Sequence, residues 1–258
     1  MSKLVTDIKK LKSGYKVTFD DEFISNIELD IFIKYRLKPG ISLEKDVYYE
    51  MLKENDKIYY TKLGVLKLKR MQTKKELLDY LVDKGCNYHL AQELVSGFEK
   101  RRYINDDEYT RLYIEMKKHL QGPKLITSKL LKKGVDQDII KKYLSQIDEY
   151  EILSVLVKKK YTAYKQKTQK QALISTRNHL ITKGYKREII DSILIHMKQE
   201  FPRDEQPLLE KTFDKLYDKY KDKKQGYELK AFLKQKLYQK GFEMNDIEAI
   251  FIQKNVLS

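Results

Sequence analysis

Four segments of this chain share one grammar, and that grammar constrains the fold more than any other feature. LLDYLVDKGCNYHLAQELV, SKLLKKGVDQDIIKKYL, RNHLITKGYKREIIDSIL and KQKLYQKGFEMNDIEAIF each contain a Lys-Gly pair: Lys84-Gly85, Lys133-Gly134, Lys183-Gly184 and Lys240-Gly241. The glycines are 49, 50 and 57 residues apart. Apolar residues fall five, six, nine and ten positions after each one: Leu90, Ala91, Leu94 and Val95; Ile139, Ile140, Tyr143 and Leu144; Ile189, Ile190, Ile193 and Leu194; then Ile247, Ile250 and Phe251, with Asp246 breaking the pattern. Glycine accepts the left-handed conformation that ends a helix, and a lysine before it suits the negative end of the helix dipole. Asn87, Asp136 and Asn245 then stand where they can cap the next helix.

A third helix fills each period: Asp106–Leu120 after Asn105, Glu149–Lys165, and Asp204–Lys221. Thr73 and Glu76 have capping-box spacing at the start of the first unit. A period of this length suits a three-helix unit that buries part of its face on its neighbours. The expected units are 70–121, 122–167 and 168–223, followed by a two-helix segment, 224–258, that is truncated or finishes against its predecessor.

Residues 1–69 read differently. Tyr15, Val17 and Phe19 alternate with polar neighbours, Asp20-Asp21 signals a turn, and Phe23 and Ile24 resume an apolar edge. This is a β-hairpin pattern, with a third strand expected from Val5 to Leu11. Helices are expected around Ile27–Tyr35 and Leu43–Leu68, separated by Pro39-Gly40, with Ser42, Glu44 and Asp46 starting the second. The predicted class is mainly α: an N-terminal β-hairpin and helix region, then tandem three-helix repeats in an elongated array.

Charge is concentrated. There are 53 Lys+Arg against 38 Asp+Glu, a net +15. The stretch from Lys158 to Arg187 holds ten cations and no acid: Lys158, Lys159, Lys160, Lys165, Lys167, Lys170, Arg177, Lys183, Lys186 and Arg187. A solvated helix face mixes signs, so this run points to a polyanionic partner: nucleic acid, an acidic protein surface or an anionic membrane. Tyr161 and Tyr164 lie among the lysines. They either stack on bases or fill a protein groove, or they pack inward while the lysines reach outward.

Little suggests catalysis. No phosphate-loop string occurs, and each Lys-Gly pair ends a helix instead of following a strand. His89, His119, His179 and His196 fall in different units, without metal-ligand spacing. Asp106, Asp107 and Glu108 would suit magnesium in a nuclease, but they sit at a helix start, where the dipole favours negative charge. Tyr109, Leu112, Tyr113 and Met116 form a helical core stripe. Cys86 is alone, so neither an intramolecular disulfide nor a thiolate cage is expected. The first residues lack the apolar core of a signal peptide and no stretch is long enough to span a membrane. The expectation is a cytoplasmic, monomeric non-enzyme without cofactor or metal.

In order and spacing, several motifs resemble the RecX family of regulatory proteins, modulators of the RecA recombinase. SGYKVTFDDEF followed by YRLKPG is similar to the N-terminal extension of longer members. Arg70, Thr73 and Glu76 echo the start of the family's first three-helix unit; RYINDDEY, Arg102 to Tyr109, and GPKLITSKLLKKGV, Gly122 to Val135, echo two further signatures. The chain departs from the pattern at Gln72, where a second arginine is common, at Arg102, where a glycine precedes the tyrosine, and at Thr110, where a small residue follows the aromatic. The resemblance implies a curved, crescent-shaped array that binds in the groove of the RecA–DNA filament, lowers ATP hydrolysis and strand exchange, and in many members contacts single- and double-stranded DNA without sequence preference. Three or more stacked units would reach roughly 70–90 Å, suited to a filament groove. The alternative is a sequence-nonspecific nucleic-acid-binding protein for which the recombinase is irrelevant.

Overall fold

The computed structural model describes residues 2–20 and 22–254. Asp21, which the sequence places in the first turn, lies outside the described residues. Thirteen helices and four strands are found among those described. The chain falls into two compact units, Met1–Leu112 with Leu130–Ile140, and Tyr113–Lys129 with Lys141–Ser258.

In the first unit, β1 (Ser2–Lys10), β2 (Tyr15–Phe19), β3 (Glu22–Ile27) and β4 (Ser42–Glu44) form an antiparallel sheet in the order β3-β2-β1-β4. Val5, Val17 and Phe19 from the sheet share a core with Ile31 of α1 (Leu29–Lys34) and with Tyr48 and Met51 of α2 (Lys45–Lys67). The expected hairpin is present and is extended by β4. Ser42 does not start a helix: it pairs with Leu4, Leu43 pairs with Lys3, and the helix begins at Lys45. Strand pairing with distant β1 outcompetes the local cap signal. Further along α2, Tyr60 and Leu63 join a second core with α3 (Lys74–Asp83) and α4 (Tyr88–Lys100), which includes Leu77, Leu81, Ala91 and Phe98.

The remaining helices are α5 (Asp106–Lys117), α6 (Pro123–Lys132), α7 (Gln137–Leu144), α8 (Glu149–Ala163), α9 (Gln169–Thr182), α10 (Arg187–Glu200), α11 (Gln206–Tyr220), α12 (Gly226–Gln239) and α13 (Met244–Gln253). In the second unit, α8 shares a core with α9 and α10 through Leu153, Val157, Leu180, Ile190 and Ile193. There too, α11 packs with α12 and α13 through Phe213, Leu233, Leu237, Ile247 and Phe251. Packing is therefore out of phase with the sequence period. The helix that closes one period supplies core to the pair that opens the next, so the breaks expected at 167/168 and 223/224 separate helices that share a core. The final pair finishes against α11.

Each Lys-Gly pair ends its helix in the same way. The residue after the glycine donates its N–H to the carbonyl of a leucine five positions earlier: Cys86 to Leu81 at 3.0 Å, Val135 to Leu130 at 3.1 Å, Tyr185 to Leu180 at 3.2 Å, and Phe242 to Leu237 at 3.4 Å. These are the long hydrogen bonds of a Schellman ending, and the leucine and following apolar residue are buried in every case. Of the expected caps, Asn87 Oδ1 accepts from His89 N at 2.9 Å and Asp136 Oδ1 from Asp138 N at 2.7 Å. Asn245 does not cap: α13 begins at Met244 after Glu243, leaving Asn245 inside its first turn.

The turns also act as joints. Within the first unit, Thr73 completes a capping box with Glu76 and donates its hydroxyl to Lys133 O at 2.6 Å. Within the second, Gly122 N donates to Lys183 O at 2.8 Å, and Thr168 Oγ1 donates to Lys240 O at 3.0 Å. A first helix is thus tied at its start to the Lys-Gly turn of the next period. The middle joint is the tightest, since a Cβ on Gly122 would lie 2.3 Å from Tyr185 N and 2.4 Å from Gly184 O. Gly122→Ala is expected to destabilise the protein by about 1–3 kcal/mol through overpacking, measured as a lower urea midpoint. Arg102, at the family's glycine position, is exposed and adopts φ 60. Left-handed backbone is unfavourable for a residue with a Cβ, so Arg102→Gly is expected to stabilise by about 0.5–1 kcal/mol, seen as a higher melting temperature.

Candidate polyanion-binding surface

Helical spacing decides which way the side chains of the basic run face. On α8, Leu153, Val157 and Tyr161 follow one another at intervals of four and are all buried. Lys158 and Lys159 fall off that stripe and are exposed, and Lys160 is half-buried. Tyr161 is 1% exposed, and its hydroxyl donates to Phe201 O at 3.3 Å. It offers no stacking face; of the two open readings, the inward one holds for this residue. Tyr164 is half-buried, with Lys160 Nζ 5.5 Å and Lys167 Nζ 4.2 Å from its ring centre.

The group that anchors this corner lies outside the run. The Arg203 guanidinium carbon sits 4.4 Å from the centre of the Tyr161 ring. Its nitrogens donate to Tyr161 O and Tyr164 O, and to Lys167 O at 3.0 Å. These carbonyls belong to the end of α8 and the following link, where unpaired acceptors and a negative dipole favour a cation. Two residues on, the Glu205 carboxylate accepts from Gln169 N at the start of α9, though burial, followed by the charges of Asp246 and Glu243, pushes its pKa up. Glu205 also borders a polar cleft of about 730 Å³ lined by Lys170, Lys198, Glu243 and Asp246. Arg203 and Glu205 support the candidate surface and were missed by pattern reading; no spacing rule connects them to residues 161–169.

The ten cations divide into two groups. Arg177 and Arg187 both pair with Asp191, the latter at 3.3 Å. Lys186 is 3.5 Å from the buried Glu149, which also accepts from Lys186 N at 2.8 Å. Lys158 has a long contact with Glu200, 4.0 Å, and lies 4.6 Å from the Phe201 ring centre. Among the described residues, no carboxylate lies within ion-pair distance of Lys159, Lys160, Lys165, Lys167, Lys170 or Lys183. Of these, Lys159, Lys165, Lys170 and Lys183 are exposed. Lys165 and Lys167 border a shallow hollow of about 310 Å³ beside Thr162 and Phe201. His179 registers the local potential: burial lowers its pKa, and the charges of Lys160 and Lys183 lower it further.

The fold brings two further lysines to the run, of which Lys118 pairs with Glu115 at 2.8 Å. Lys124 N donates to Gly184 O at 3.1 Å, which brings Lys124 beside Lys183. Tyr185 O–H donates to Lys118 O at 2.9 Å, and burial pushes that hydroxyl up to about 12. A signal for this second group was available, because residues 116–135 also contain no Asp or Glu.

The acidic candidates are occupied structurally. Asp106 is buried, which raises its pKa, and accepts from Lys74 N at 2.9 Å. Asn105 Oδ1 accepts from Asp107 N at 3.0 Å and Glu108 N at 3.2 Å, while Glu108 pairs with Arg111 at 2.6 Å. Among the described residues no group of three or more His, Cys, Asp and Glu is placed to hold a metal, and no helix is long and apolar enough to cross a membrane. The buried Cys86 thiol is pushed up to about 11 by burial, well above the range of a reactive thiolate.

Lys-Gly-punctuated helices behind a small antiparallel sheet define a mainly α, tandem-helix protein with an N-terminal β region. The chain belongs to the RecX family of regulatory proteins. It is 32% identical over 257 residues to "Regulatory protein RecX" of Bacillus cereus strain B4264, covering 95% of this chain and 94% of that one. It is 29% identical over 260 residues to the protein of the same name from Bacillus cytotoxicus, covering 95% of each chain. In fold it is similar to a crystal structure of regulatory protein RecX, with TM-score 0.54, 18% identity, and coverage of 74% of this chain and 98% of that one. A crystal structure of RecX from Lactobacillus salivarius gives TM-score 0.52 at 24% identity, covering 57% of this chain and 99% of its own. No protein-family model matches the chain.

Because Arg203 holds three carbonyls at one helix end, Arg203→Ala is expected to destabilise by about 2–4 kcal/mol. Arg203→Lys should restore little of this, since an ammonium lacks the planar fork. Urea denaturation of the three proteins checks both outcomes.

Proposed function

We propose that the protein binds the RecA–DNA nucleoprotein filament and lowers the recombinase's ATP turnover and strand exchange. Support comes first from family membership over nearly the whole chain. The observation that carries the mode of binding is the exposed set Lys159, Lys165, Lys170 and Lys183, none of which has a carboxylate within ion-pair distance among the described residues. An ammonium already held by a carboxylate has less to gain from a phosphate than one facing water. The outer side of α8, the link after it and the start of α9 are therefore the part of the run that meets the polyanion. Tyr164, between two ammoniums, adds an aromatic surface there. Arg177, Lys186 and Arg187 hold the helices that present it.

A second reading, nucleic-acid binding with no role for the recombinase, draws on the same lysines. The two readings separate in one experiment on the full chain. Under the first, the protein lowers the single-stranded-DNA-dependent ATPase of the cognate recombinase, and Lys159→Gln/Lys165→Gln/Lys170→Gln weakens that inhibition. An unchanged ATPase at several-fold molar excess over the recombinase would count decisively against filament regulation. Under the second, the triple variant loses single-strand binding, with the salt slope of log affinity shrinking by roughly 0.7 per lost phosphate contact, while wild-type protein leaves the ATPase untouched.

A further inference from the structure

A separate cationic device lies on the N-terminal sheet. The turn joining β1 to β2 reads KKLKSGYK, and Lys9, Lys10, Lys12 and Lys16 occur within these eight residues without an acid. The tip is rigid. Leu11 N donates to Gly14 O at 3.0 Å, and Gly14 has φ 76, with the space for a Cβ closed by Ile27 O at 2.6 Å. Tyr15 is fixed by stacking on Phe32, with centroids 4.2 Å apart.

The strand register sets Lys9 directly opposite Lys16. Like charges in facing positions disfavour an isolated sheet, and among the described residues neither has a carboxylate within ion-pair distance. Lys16 is partly accommodated by Phe23, whose ring centre is 3.8 Å from its Nζ. Lys9, Lys10 and Lys12 are exposed. Acidic groups gather at the other end of the hairpin, where Lys3 meets Asp20 at 3.8 Å and Glu22 at 3.4 Å. Asp7, opposite Thr18, is the acid nearest in sequence to the tip.

We propose that this hairpin tip is a second polyanion contact, with Lys9, Lys10 and Lys12 lying against the phosphates of duplex nucleic acid. The chemistry favours that partner over others. Leu11 is half-buried and Tyr15 is packed, and the exposed Phe23 ring sits against the Lys16 ammonium, so the turn itself offers no apolar anchor of the kind a membrane surface or a protein hot spot uses. Three exposed ammoniums on a turn backed by β3 suit the phosphate oxygens of a duplex. The proposal concerns the sheet alone and does not rest on the function assigned to the α8–α9 surface.

The test uses the full chain and a short fluorescent duplex, followed by anisotropy across a salt series. Lys9→Gln/Lys10→Gln/Lys12→Gln should bind about tenfold or more weakly, with the magnitude of the salt slope reduced by roughly 0.9 per lost contact. The matching triple arginine variant should retain both affinity and slope. Lys12→Gln alone, a change in an exposed turn, should reduce the slope by about one contact, which keeps the test decisive if the triple variant unfolds. Unaltered affinity and slope in the glutamine variants would overturn the proposal, as would equal loss in the arginine variant. It also falls if the glutamine variants bind duplex normally but lose binding to phosphatidylserine vesicles, which would assign the tip to a membrane surface.

Discussion

The structure depends on a hydrogen bond between the start of one helix and the end of another, far apart in sequence. Thr73 reaches Lys133 O, Gly122 reaches Lys183 O, and Thr168 reaches Lys240 O. Both ends carry polar groups that a helix cannot satisfy internally: amides at the start and carbonyls at the finish. Joining them removes two deficits at once and fixes the distance between successive periods. The middle joint uses backbone alone, because a side chain at Gly122 would collide with the turn it meets. Where a threonine performs the same task, one hydroxyl both accepts from its own helix and donates to the next turn.

That joint explains why the packing is offset from the sequence period. A pair of helices ending in a Schellman turn cannot bury all of its apolar surface alone. The helix before the pair supplies the missing wall: α2 for α3 and α4, α8 for α9 and α10, α11 for α12 and α13. The N-terminal sheet can therefore continue into helical repeats without a separate linker. α2 places Tyr48 and Met51 in the core of the sheet, and Tyr60 and Leu63 in the first helical core. Its Gly64 leaves room for the Phe98 ring, 2.7 Å from where a Cβ would stand.

Much of this was legible in the residues. Helix ends were readable because a Lys-Gly pair, followed by apolar residues at helical spacing, makes a local motif with a local cause. The hairpin was readable from alternation, since a strand buried on one face has to alternate. What the sequence did not disclose depends on long-range pairing. Ser42 carries a cap signal, but β1 takes that segment into the sheet. Tyr161 looks like its neighbour Tyr164 until the stripe Leu153, Val157 and Tyr161 turns it inward. Arg203 is separated from the carbonyls it holds by 36 to 42 residues, with α9 and α10 between them, and no local pattern predicts such a partnership.

The division of the basic run follows from the same logic. Net charge alone does not distinguish a cation that binds a partner from one that fastens a helix, because both are exposed lysines or arginines in sequence. The distinction lies in whether folding brings a carboxylate to them. Asp191 meets Arg177 and Arg187, and buried Glu149 meets Lys186, so three of the four distal cations are matched within their own unit and Lys183 is not. At the end of α8, the carbonyls are met by Arg203, and Glu205 is taken by the α9 amide. With both of those charges occupied by backbone, no carboxylate among the described residues comes within ion-pair distance of Lys159, Lys165 or Lys170, although Glu243 and Asp246 share a cleft with Lys170. A polyanion arriving there displaces water and counterions, without first breaking an internal ion pair. This asymmetry is what supports the proposal that the α8–α9 corner, rather than the run as a whole, meets the polyanion.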